Sequence, residues 1–420
     1  MFNNLTELII KADKILFVAA VALALATIIF AAARESVVRR RVLNLEKIKK
    51  NLQRMVRADR EKIEETIPVF VDEFSPQQFS LLSKEDYLKL SPGLEQEIKD
   101  NFISSGKLEA VEQMAHKGRD KWDRVEALIT LGYINSPATL GILQRSLLDR
   151  DEDINYFALQ ALGQLKSQEA AKVMLDFLAK NPHRGYGIAL LLEAFPATIS
   201  AELYEAAASQ YGVVRYWAVK LIGKFKARDY LPRIEGLTAD SNSDVRAAAC
   251  ECLGLLEDKE AGAVIKTCLK DKLWFVRMHA VRALDLIMGA TALPDALPLI
   301  DDPAAKVREG VKNILARNIQ QALPYLEKYL FSHDQAVRRC CAEALVDAGY
   351  IPVILKDILS EDPDVEQKAM RLLAGLVKSR IYFGLKRALE DLSVEEKNRV
   401  LLIVAAMDQG LAERIKQENK

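Results

Sequence analysis

The chain has 420 residues, half of them hydrophobic and only 7% aromatic, with 59 basic side chains against 59 acidic ones. That length holds one large domain or roughly two or three ordinary ones, and the abundance of Leu, Ala, Glu, Lys and Arg suits helices. Charge is unevenly spread: residues 34–62 carry eleven Lys/Arg against four Asp/Glu, which leaves residues 63–420 at −7 and argues against nucleic acid as the partner, because phosphate binding needs a basic face.

The first predicted element is "ILFVAAVALALATIIFAAA", residues 15–33, uncharged and with Thr27 as its one polar side chain. As a helix it reaches about 28 Å, close to the thickness of a bilayer's hydrocarbon core, so the segment 1–33 is expected to carry a transmembrane helix. A cleaved signal peptide, leaving a secreted or periplasmic protein, is the competing reading, with Lys11 and Lys14 before the run and Ala31, Ala32 and Ala33 at its end. The run exceeds the usual signal length, and a dense basic cluster follows it: Arg34, Arg39, Arg40, Arg41, Lys47, Lys49 and Lys50. By the positive-inside rule that cluster predicts a single pass through the inner or plasma membrane, with everything after it in the cytoplasm.

Residues 34–67 read as a basic juxtamembrane stalk. Val38, Val42, Leu45, Leu52, Val56 and Ile63 fall at helical spacings, and Pro68 ends the run. Such a helix pairs weakly with its own copy, lies near anionic headgroups, or packs as a solvated helix on the next domain. Residues 68–118 form a helical connecting and capping region, in which two Ser-Pro pairs signal helix starts.

From residue 119 a repeat takes over. Val-Arg pairs stand at Val214-Arg215, Val245-Arg246, Val276-Arg277, Val307-Arg308 and Val337-Arg338, and Val365-Glu366 continues the series. The valines are 31, 31, 31, 30 and 28 residues apart, and degraded copies sit at Arg124, Asn155 and Gly185. Seven residues after the Arg position stands Leu or Ile in all nine copies, from Leu131 to Leu373; three residues after it stands Ala in six of the nine. A fixed period near 30 with two helical runs per copy marks an α-solenoid, here over residues 119–392, with 393–420 as a C-terminal capping helix. The fold class is thus all-α: an N-terminal transmembrane helix and a solenoid of about nine helix pairs.

The five cysteines are Cys250, Cys252, Cys268, Cys340 and Cys341. An odd count does not make a disulfide framework and suits a reducing compartment. Cys250, Cys252 and Cys341 occupy repeat slots that other copies fill with Leu, Val or Ala, so they read as small buried residues rather than metal ligands. His116, His183, His279 and His333 are isolated, and no phosphate loop, metal-ligand spacing or nucleophile elbow stands in the chain.

"DVRAAACECLGLL" and "LWFVRMHAVRALDLI" resemble the first helix of the short HEAT-like repeats found in phycobilin lyase-type and bacterial proteins. "KEAGAVIKTCLKD", "YLPRIEGLTAD" and "ALPYLEKYLFSHD" resemble the second, with Pro232 and Pro324 in its opening turn. The resemblance covers about residues 120–390 and departs from the pattern at "RGYGIALLLEAFP". It implies a surface that binds a protein partner, so the expectation is a membrane-tethered, non-enzymatic scaffold or adaptor in a cell-envelope assembly, with no cofactor, metal or catalytic residue. A phycobilin lyase-like, chromophore-handling enzyme is the alternative. For partner contact the sequence nominates Tyr216, Trp217, Trp274 and Phe275, the last two standing where other copies have a polar turn between repeats.

Overall fold

The computed structural model describes residues 92–417 apart from Arg119, together with Lys50, Ile67, Pro68, Val71 and Asp72. The described helices are α1 Pro92–Ser104, α2 Lys107–Lys117, α3 Lys121–Ile134, α4 Leu140–Ser146, α5 Glu152–Leu165, α6 Gln168–Lys180, α7 Gly185–Leu192, α8 Ser200–Ala206, α9 Gly212–Phe225, α10 Leu231–Leu237 and α11 Ser243–Leu256. They continue as α12 Gly262–Cys268, α13 Trp274–Met288, α14 Leu293–Ala296, α15 Ala305–Arg317, α16 Ile319–Tyr329, α17 Gln335–Asp347, α18 Ile351–Asp357, α19 Pro363–Lys378, α20 Tyr382–Glu390, α21 Val394–Met407 and α22 Gln409–Gln417. Among the described residues there is no strand.

From α3 onward the helices come in pairs, and Val-Arg stands in the first turn of the first helices α9, α11, α13, α15 and α17. Two compact units divide the chain, one ending at Met174 and one starting at Leu175. In the first, α3 packs on α2 and α5, and α4 on α2 and α5. In the second, the first helices α7, α9, α11, α13, α15, α17 and α19 each lie against the next, and the shorter second helices α8, α10, α12, α16 and α18 lean on the first helix that follows them.

The repeat slots explain the packing. The small residue three positions after the Arg and the Leu or Ile four positions further lie on one helical face. Both are buried in every copy: Ala127, Ala158, Ile188, Ala218, Ala249, Ala280, Val311, Cys341 and Ala369 in the first slot, and Leu131 through Leu373 in the second. Burying one such Leu contributes about 2 kcal/mol. The glycines at the end of several first helices let neighbours close up. A β-carbon on Gly254 would come within 2.9 Å of Ala283 Cα, and one on Gly223 within 3.1 Å of Cys252 Cα. Polar caps start many of the helices: Asn242 accepts from Asp244 and Val245, Asp334 from Ala336 and Val337, and Ser393 forms a capping box with Glu396.

Three expectations change. Pro232 does stand in the opening turn of α10, but Pro324 is inside α16, whose first turn begins at Ile319. Trp274 and Phe275 are not in a turn; they are the first two residues of α13, and Leu273 is the cap. The third is the location in the inner or plasma membrane, as a single pass with the solenoid facing the cytoplasm. Among the described residues no helix is long and apolar enough to cross a membrane. The longest, α19, has 16 residues and a charged face, where a span needs about 20 apolar ones. The segment 15–33 and the basic residues Arg34 to Lys49 lie outside the described residues, and Lys50 is helical and exposed. The membrane location is therefore dropped.

Candidate functional site

The Val-Arg pair does two different things. Its valine is buried (Val214, Val245, Val276, Val307 and Val337). Its arginine ties adjacent turns together. Arg215 donates from Nε and Nη2 to the two oxygens of Asp240, both at 2.7 Å, and from Nη1 to the Ser209 carbonyl at 2.7 Å. Arg246 grips Asp271 in the same way and donates to the Asp240 carbonyl at 2.9 Å. Arg277 grips Asp302 and donates to the Asp271 carbonyl at 2.8 Å. Each aspartate lies 25 residues after its arginine and also accepts from the backbone N–H two residues on: Asn242, Leu273 and Ala304. The result is a continuous ladder from turn to turn. Burial pushes these three carboxyls up, but the arginine fork and the backbone N–H outweigh it and hold each below the ordinary aspartate range. In the first unit Arg124 and Asp149, also 25 residues apart, pair through Nη2 alone, and Arg124 Nε donates to the Ala115 carbonyl.

The opposite face of the first helices is exposed, and in the second unit it carries the aromatics. Tyr216 and Trp217 are half-buried and meet edge to face at 5.0 Å. Trp274 is 45% exposed and meets the half-buried Phe275 at 6.0 Å. The structure does not join the two nominated pairs, because α11 packs between α9 and α13. Trp217 instead turns toward Tyr186 of α7, ring centres 6.3 Å apart, and lies across Gly185, which has no room for a β-carbon. Tyr186 is 72% exposed, and Leu190, one turn on, is 56% exposed. So the copy that lacks Val-Arg supplies the bed for Trp217. Tyr186 was legible: Tyr156, Tyr186 and Tyr216 all stand one residue after the Arg position.

Beyond the aromatics the same face is charged. Lys220 of α9 pairs with Glu251 of α11 at 2.7 Å, and Glu251 approaches Nδ1 of His279 on α13 at 3.4 Å. Burial holds the His279 pKa below its ordinary value despite that carboxylate. Lys224 pairs with Glu193.

The cysteines are packing residues. All five are buried. Cys252 is the small residue facing Gly223, and burial pushes its thiol up to about 12. The Cys268 thiol and burial raise Cys250, so neither Cys250 nor Cys252 is poised as a thiolate, while the same contact with Cys250 lowers Cys268 to about 7. Among the described residues no group of three or more His, Cys, Asp or Glu converges as metal ligands would.

The profile of HEAT repeats matches residues 108–190, 200–285 and 232–316, so the chain carries HEAT repeats. No curated protein matches it. Similar solved structures include the complex of CpcE and CpcF of phycocyanin lyase from Nostoc sp. PCC7120, at 18% identity and TM-score 0.31, covering 64% of this chain and 94% of that one. The Escherichia coli protein YibA is similar at 15% identity and TM-score 0.34, covering 69% and 99%. Kap121p bound to Nup53p is similar at 13% identity and TM-score 0.45, covering 89% and 47%.

Proposed function

We propose that this array of HEAT repeats is a non-enzymatic scaffold that binds a protein partner on the exposed face of its first helices, anchored by Tyr186, Tyr216 and Trp217. The observation that carries the reading is the 72% exposure of Tyr186 beside Trp217. Large aromatics left in water are favoured anchors at interfaces, because they bury much area while fixing few torsions. Leu190 widens the apolar patch, and Trp274 with Phe275 forms a second station two repeats on.

The test is capture of partners from the source cells by the tagged chain, beside a thermal melt. Tyr186→Ser changes a side chain that the fold hardly uses, so Tm is expected to stay and capture to fall. Capture at full strength by the combined Tyr186→Ser, Trp274→Ser protein would sink the reading.

A further inference from the structure

The turn ladder stops at Arg308. Its Nη1 keeps the ladder register, donating to the carbonyls of Asp302 at 2.6 Å and Pro303 at 3.1 Å. The slot six residues before the next Arg position, which Asp240, Asp271 and Asp302 fill, holds Ser332, whose hydroxyl accepts from the Asp334 N–H as those aspartates accept from the N–H two residues on. Among the described residues Arg308 has no carboxylate partner. The break continues in the next copy. Arg338 donates from Nη1 to the carbonyls of Ser332 and His333, Ser360 fills the next aspartate slot, and the buried Nε of Arg338 has no hydrogen-bond partner.

A groove of about 650 Å³ lies beside the open fork, between α15 and α17. Arg308, Glu309, Lys312, Arg339, Cys340 and Glu343 line it. Most of its charges are taken: Glu309 by Lys306 at 2.8 Å, Glu343 by Arg339 at 2.7 Å, and Lys312 by Asp347 at 2.6 Å. Arg308 is the lining cation left over. Glu309 and Arg339 stand one residue after the Arg position, the slot of Tyr186 and Tyr216, so groove and aromatic patch open on the same face of the first helices.

We propose that the α15/α17 groove binds an acidic peptide segment of the partner, with an Asp or Glu carboxylate taking the place of the missing aspartate on the Nε/Nη2 edge of Arg308. The inference rests on the partner-binding reading above. A guanidinium held by its third nitrogen presents a preformed fork, and a carboxylate is the group that the same fork accepts three times elsewhere in this chain. The protein supplies that group at each of its earlier Val-Arg pairs, so the open fork has a chemically defined filler.

The experiment uses the 420-residue chain and a labelled hexaglutamate peptide, read by fluorescence anisotropy at low salt, with hexalysine and inorganic phosphate as comparisons. Hexaglutamate is expected to bind and hexalysine not. Ser332→Asp supplies the fork from within; it should weaken hexaglutamate about tenfold, the worth of one charge-assisted contact, while raising Tm. Arg308→Gln should weaken it as much. Because Ser332→Asp adds a bond and keeps an acceptor for the Asp334 N–H, lost binding in that variant cannot be ascribed to misfolding. Unchanged affinity in Ser332→Asp overturns the proposal. So does binding of inorganic phosphate without hexaglutamate, which would make this a small-anion site. The Tyr186→Ser protein is measured in parallel: lost hexaglutamate binding in Ser332→Asp with partner capture unaffected by Tyr186→Ser refutes the aromatic anchor alone, and the reverse pattern refutes the groove alone.

Discussion

Two stretches of the second unit use the same helix pair differently. From α9 to α13 the valines keep a spacing of 31, each arginine has its aspartate, and Gly223 and Gly254 let first helices approach closely. From α15 to α19 the spacing shrinks to 30 and 28, the aspartate is lost, and Ala316 and Val346 fill the slot that Gly223 and Gly254 occupy. The buried Val, Ala and Leu slots stay apolar from one stretch to the other. Apolar burial therefore makes the array, and the polar turns decide whether a given junction is sealed or left with valence to spare.

The largest expected effect is at the ladder itself. Arg246→Ala strands Asp271, whose side chain is 11% exposed, and is expected to cost about 3 kcal/mol in denaturant unfolding. Arg308→Ala removes only bonds to two carbonyls and should cost about 1 kcal/mol. Equal costs would erase the distinction between the two stretches.

Next comes close approach. Gly254→Ala drives a methyl group into the Ala283 backbone and is expected to cost about 2 kcal/mol, read as a lowered urea midpoint with the slope unchanged. The same change at Gly236, where a β-carbon meets nothing, should be neutral or stabilising.

Acid should separate the stretches further. Asp240, Asp271 and Asp302 have folded pKa values below the unfolded one, so their contribution is complete above the ordinary aspartate value and fades as pH falls through the folded values. Melting between about pH 4 and pH 2 should fall steeply in the wild type and less steeply in Asp271→Asn, which has already lost one such group. Parallel curves would mean that these carboxylates do not govern acid stability.

The smallest effect concerns helix ends. Glu257 ends α11 with φ 53°, a left-handed conformation that glycine adopts freely; Glu257→Gly should add about 0.5 kcal/mol, and Gly349→Ala, at φ 65°, should remove a similar amount. Thermal melts resolve both signs.

Much of the fold was legible, for a physical reason: buried slots tolerate only small or branched apolar side chains, so the period survives wherever helices pack. Arg215, Arg246 and Arg277 were visible as markers, but their role was not, because the partner aspartate lies beyond the second helix and looks like an ordinary turn residue. Trp274 was misplaced because an aromatic at the first helical position is indistinguishable from one in the turn before it. Tyr186 was passed over because its copy lacks Val-Arg. The open fork at Arg308 was invisible for the converse reason: a missing aspartate is a signal only once the ladder is known.

That ladder also fixes how the array can be lengthened or trimmed. Each arginine bonds backward to the preceding turn's carbonyl and forward to its own copy's aspartate, so every rung is self-contained. Excising residues 241–271 joins Asp240 to Lys272 and offers the Asp240 carbonyl to Arg277 in place of the Asp271 carbonyl, while Arg215 keeps its carboxylate. A whole step of 31 residues therefore keeps the rungs between Arg215 and Asp302 in register, whereas a cut that ends past Arg308 meets a seam with no matching half.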